Sequence, residues 1–117
     1  MNNLDSARRA EKAYAAAAAT RSLRAQEAEV FGRVTAALRQ GMRGSTTEKV
    51  RALADTSLLW SSVLDQVRDP DNRLPEALRA MIASVAMAVR REVALDNPNF
   101  AFLIEVNENI AAGLADS

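Results

Sequence analysis

The chain is expected to be all-α, a compact bundle of four main helices with an additional N-terminal helical arm, and three observations lead there. Apolar residues recur at helical spacing, as in Phe31, Val34, Thr35, Leu38 and Met42, which share one face at offsets of three, four, seven and eleven. Proline punctuates the chain between such runs, most clearly in DPDNRLP at residues 69–75. Ser45 stands three residues before Glu48, the spacing of a capping box that opens a helix.

Residues 1–20 form the arm and residues 21–117 the bundle. Alanine, Arg, Lys and Glu make SARRAEKAYAAAAA a strong helix former, yet Tyr14 is its only large apolar side chain. One Tyr and a few alanines, at about 25 cal/mol per Å² of buried apolar area, give only a few kcal/mol of docking energy. Ordering entropy offsets a gain of that size, so the arm should be loosely attached. It is either a frayed terminus or an arm that folds over a partner or a second copy.

The first bundle helix should run from about residue 21 to 40, with Gly41 and Gly44 supplying permissive backbone for the exit. The capping box then starts a second helix that reaches about Arg68, with Val50, Leu53, Ala54, Ser57, Trp60, Leu64 and Val67 inward. Pro70 ends it, because a proline pushes the preceding residue out of the α region and donates no hydrogen bond. Pro75 opens the third helix, where a missing N–H is least missed. Residues 69–75 thus make a stiff corner that returns one helix antiparallel onto the other. Leu78, Ile82, Val85, Val89 and Val93 form the third stripe, and Leu103, Val106, Ile110 and Leu114 the fourth. Asp96-Asn97-Pro98 should repeat the device of a capping side chain followed by proline.

Composition narrows the chemistry. There is no Cys and no His, which removes thiol chemistry, the commonest general base and the commonest transition-metal ligand. No glycine stands in a phosphate-cradling spacing, and Ser57, Ser61 and Ser62 have no base to activate them. Glu105 and Glu108 share a helix face but lack a third ligand, so a solvated pair is the expectation. An enzyme, a metal site and a cofactor are therefore not expected. Net charge is zero, although residues 1–24 carry +3 and residues 96–117 carry −4. The longest uncharged run, residues 80–89, has ten residues, about half a membrane span. With no signal-peptide pattern at the N-terminus, the expected location is the cytoplasm.

A spaced set of residues carries a resemblance. Leu59-Trp60, Pro70, Asn72, Leu74-Pro75, Leu78-Arg79-Ala80, Ile82, Ser84 and Val89-Arg90 are followed by LIEVN at 103–107 and by Gly113-Leu114, with AEVFGRVTAAL upstream at 28–38. Over roughly residues 23–114 the chain resembles the FlaF family. That resemblance implies a regulator of flagellin synthesis and flagellum assembly in alphaproteobacteria. It also implies flagellin as a partner, handled before export, and possible company from a regulator of the FlbT type.

Joined to the residues, it suggests a cytoplasmic secretion chaperone that takes an amphipathic flagellin helix into a groove between two of its own. Candidates for the partner surface are Phe31, Trp60, Leu64, Met81, Met87, Phe100 and Phe102, with Trp60 also a natural core anchor if its N–H finds an acceptor. Phe100 and Phe102 point to opposite sides of one turn, so one of them should be exposed. Pro70, Asn72, Pro75, Arg79 and Asn107 should build the corner, with Asn107 bonding its carbonyls and Arg79 pairing with Asp69 or Asp71. The alternative is a post-transcriptional regulator contacting flagellin messenger RNA through Arg8, Arg9, Lys12, Arg21 and Arg24, which zero net charge and a missing RNA-binding motif disfavour. A third possibility is weak self-association through the arm.

Overall fold

The computed structural model describes the backbone of residues 3–115 and the side chains of residues 5–12 and 27–113. Its regular structure there is four α-helices: α1 Asn3–Arg43, α2 Thr46–Arg68, α3 Glu76–Val93 and α4 Phe100–Ala115. The all-α expectation holds. α1 passes unbroken through the expected boundary between arm and bundle and continues to Arg43. The side chains of Tyr14, Arg21, Arg24 and Leu114 lie outside the described residues.

α1 packs against α2 and α4, and α2 packs against α3. Gly41 lies beside Ala52 of α2 and Phe100 of α4, whereas Phe31, three turns earlier, meets Trp60 edge-on and lies near Ile110. α2 and α4 therefore both run back along α1. Both end before α1 does, so the N-terminal half of α1 projects past them. Forty-one residues of helix span about 62 Å, which accounts for the molecule's 65 Å long dimension. Residues 5–12 of this projection are exposed.

The core is built around Trp60, with Leu38, Leu64, Val89 and Leu103 fully buried beside it. On α1 the expected stripe is inward as far as Leu38, while Met42 is 45% exposed. The α2 face is rotated from its expected position. Ala52, Thr56, Trp60, Leu64 and Val67 are buried, whereas Val50 and Ala54 are exposed. Thr56 can lie inward because its hydroxyl donates to the Ala52 carbonyl at 2.7 Å, which leaves a β-branched apolar surface for packing. Thr35 does the same to the Phe31 carbonyl at 2.6 Å.

Helix ends follow their local chemistry. The capping box forms as expected: Ser45 Oγ accepts from the Glu48 amide at 3.2 Å, and the Glu48 carboxylate accepts from the Ser45 amide at 3.4 Å. α2 stops at Arg68, and Pro75 occupies the N-cap of α3. At α4 the cap is Asn99 rather than Asp96 or Asn97, since its Oδ1 accepts from the Phe102 amide at 3.0 Å. Proline thus precedes the cap here. α1 leaves at Arg43, directly before Gly44, as expected, but no described glycine has positive φ, so the exit does not use left-handed backbone. Gly41 serves by lacking a side chain, because a Cβ there would sit 3.3 Å from both Ala52 Cβ and Phe100 Cε2. No helix among the described residues is long and apolar enough to cross a membrane.

Candidate helix-binding cleft

Where α1 leaves the bundle, an apolar cleft of about 370 Å³ opens between it, α2 and the corner. Its walls are Val30 and Phe31 from α1, Leu59, Val63 and Val67 from α2, Leu74 from the corner, Ile82 from α3 and Ile110 from α4. Glu27, Ser62, Gln66 and Asn72 give it a polar rim. A shallower depression continues along the α1–α2 seam, sharing Val30, Leu59 and Ser62 and adding Arg33, Val34, Asp55 and Leu58. Leu58 is 71% exposed there. From Gln66 to Asp55 the trough follows α2 for about 17 Å, or three helical turns.

The floor is rigid for identifiable reasons. Phe31 meets the Trp60 ring edge-on, with centroids 5.7 Å apart and planes at 86°. The Trp60 Nε1–H donates to Asn107 Oδ1 at 2.8 Å, which ties α2 to α4 beneath the cleft. Asn107 is fully buried, and so a hydrogen bond to it is made without competition from water. The corner wall is equally constrained. Asn72 Nδ2 donates to the Gln66 carbonyl at 2.8 Å and its Oδ1 accepts from the Leu74 amide at 3.0 Å, while Asp69 Oδ1 accepts from the Asp71 amide at 2.9 Å.

Of the residues singled out from sequence, Phe31 and Asn72 reach the cleft. Trp60 and Leu64 are buried beneath it and offer no surface to a partner. Met81 and Met87 are exposed on α3, away from the cleft lining, and Phe100 lies by Gly41 at the far end of the bundle. Phe100 and Phe102 are both half-buried, so the expectation that one of them is exposed does not hold. Pro70 and Pro75 are exposed at the corner.

Two expected corner contacts are replaced. Asn107 bonds Trp60 and not the corner carbonyls, because α4 lies against α1 and its amide points into the core. Arg79 pairs with neither Asp69 nor Asp71: it is half-buried on α3, and its Nε is buried with no hydrogen-bond partner. Asp69 is turned instead toward the Asp71 amide. Glu108 pairs with Arg39 on the surface, a contact between two exposed side chains. Among the lining residues that sequence reasoning missed as a partner surface are Val30, Leu59, Val63, Leu74, Ile82 and Ile110; for those of α2 the signal was the doublet Leu58-Leu59 beside Trp60, too wide for a single core stripe.

Fold and cleft together define a small all-α bundle with an open apolar trough on one seam. Residues 10–114 match the family described as flagellar protein FlaF. The chain belongs to the FlaF family, and its role is accordingly a flagellar one. No curated protein and no solved structure matches it.

Proposed function

We propose that the chain is a flagellin-binding secretion chaperone, which takes an amphipathic flagellin helix into the trough beside α1 and α2. The observation that carries this reading is the apolar wall of Val30, Leu59, Val63 and Ile110 left open under a polar rim. Three turns of trough accept anchors at i, i+3 or i+4 and i+7 of a visiting helix. The projecting half of α1 starts at the mouth of the cleft and gives that helix a neighbour to run beside. Holding the client's apolar stripe in the cytoplasm keeps it soluble until export, and occupancy of the trough couples flagellin supply to assembly. An FlbT-type regulator would read the free or the occupied form.

Co-purification with full-length flagellin, and with flagellin shortened at its terminal helices, tests the reading at low and high salt. Full-length flagellin should be retained at both salt levels, the shortened form lost, and Val63→Glu in the trough should abolish retention. Equal retention of the shortened form overturns the proposal. Binding of flagellin messenger RNA through the exposed Arg8, Arg9 and Lys12 would instead fall steeply with salt, because each neutralised phosphate releases counterions.

A further inference from the structure

Among the described residues, four of the seven exposed large apolar side chains, Leu74, Met81, Met87 and Leu95, belong to α3 and its two flanks. α3 buries Ala86 and Val89 and packs mainly on α2. Its opposite face carries Ala77, Ala80, Met81, Ser84 and Met87, all exposed and none charged. An exposed helix face without charge for three turns is unusual, since such positions normally solvate the helix. On α3 itself charge appears where the face ends, as Glu76 in the first turn and Arg90 and Arg91 in the last. Neither Glu76 nor Arg91 makes an ion pair among the described residues.

We infer that this face pairs with the same face of a second copy, the two α3 helices lying antiparallel about a two-fold axis at Ser84. That register sets Met81 of one copy opposite Met87 of the other, and Glu76 beside Arg91 of the other copy, twice by symmetry. A parallel pair would set Glu against Glu and Arg against Arg. The face is convex, a single helix without a flanking wall, so it suits another single helix better than the trough suits it. Arg68, which leans on Met87 with Nη2 at 3.9 Å from the sulfur, borders the contact. One helix face about 22 Å long buries well under the roughly 800 Å² per partner of a standard interface, so the dimer is weak and concentration-dependent. α3 gives only Ile82 to the cleft, and the pairing leaves the trough open.

The chain has no cysteine, so single-cysteine variants report the contact directly. Ser84→Cys, at the axis, should form a disulfide-linked dimer under mild oxidant many times faster than Thr47→Cys, which is exposed at the start of α2. Sedimentation of the unmodified chain into the millimolar range should show the average mass rising toward twice the monomer's. Glu76→Lys and Arg91→Glu should each weaken association roughly tenfold at low salt, and the two together should restore it. Equal cross-linking rates at positions 84 and 47, a single monomer boundary at every concentration, or a double variant no better than the single ones would overturn the pairing.

Discussion

Trp60 and Asn107 are 47 positions apart and joined by one hydrogen bond at 2.8 Å in the centre of the bundle. Each would be costly there alone. An indole N–H or an amide buried without a partner loses about 1–3 kcal/mol, and the Asn107 Nδ2 is already unpartnered. Asn107→Leu should therefore destabilise the fold by about 1–2 kcal/mol through the orphaned indole N–H. Trp60→Phe should cost about 3 kcal/mol or more, from a cavity plus an orphaned carboxamide. Combined, the two should cost less than their sum by about 1–2 kcal/mol, because no polar group is then left stranded. Urea unfolding of the three variants measures this, and strict additivity would show that the bond contributes nothing. The sequence showed that Trp60 needed an acceptor and that Asn107 sat on an apolar stripe. It did not show that they met, since that depends on how α2 and α4 are rotated about α1.

Element boundaries were readable where a side chain acts on its own backbone. The Ser45–Glu48 box and the Arg68 terminus are short-range chemistry, contained within a few residues of sequence. Faces were harder. Val50 was assigned inward and Thr56 omitted, because a hydroxyl looks polar until its bond to Ala52 is known. Glycine shows the same division between local and tertiary causes. Gly32 and Gly41 both lie inside α1, where alanine is the better helix former by about 1 kcal/mol. A Cβ at Gly32 meets nothing within 4 Å, so Gly32→Ala should stabilise the fold by about 0.5–1 kcal/mol. At Gly41 the added carbon enters the crossing of α1 with α2 and α4, and overpacking of a tight core contact costs about 1–3 kcal/mol. Gly41→Ala should accordingly lower thermal stability while Gly32→Ala raises it. Equal shifts in both variants would mean that the three helices do not cross as closely as described.

At the scale of the whole molecule the controlling quantity is the excess length of α1 over its neighbours. A compact chain of 117 residues has a radius of gyration of about 13 Å, whereas this one has 18.0 Å over its Cα atoms. The alanine-rich composition accounts for the difference: it favours helix without supplying the apolar stripe that would fold the segment back onto the bundle. The cleft was hidden from the sequence for the same reason. It is formed by the angle between the projecting helix and the corner, and neither segment specifies that angle alone. Deleting residues 1–20 should bring the radius of gyration in solution scattering close to the compact value. It should change the melting temperature by no more than about 4 °C, since the segment's composition offers less than about 1 kcal/mol of net docking energy. The proposed capture of flagellin should weaken after the same deletion, and unchanged capture would remove α1 as the client helix's neighbour. A large loss of thermal stability would instead show that the N-terminal half of α1 packs on the bundle, and the extended shape would then be wrong.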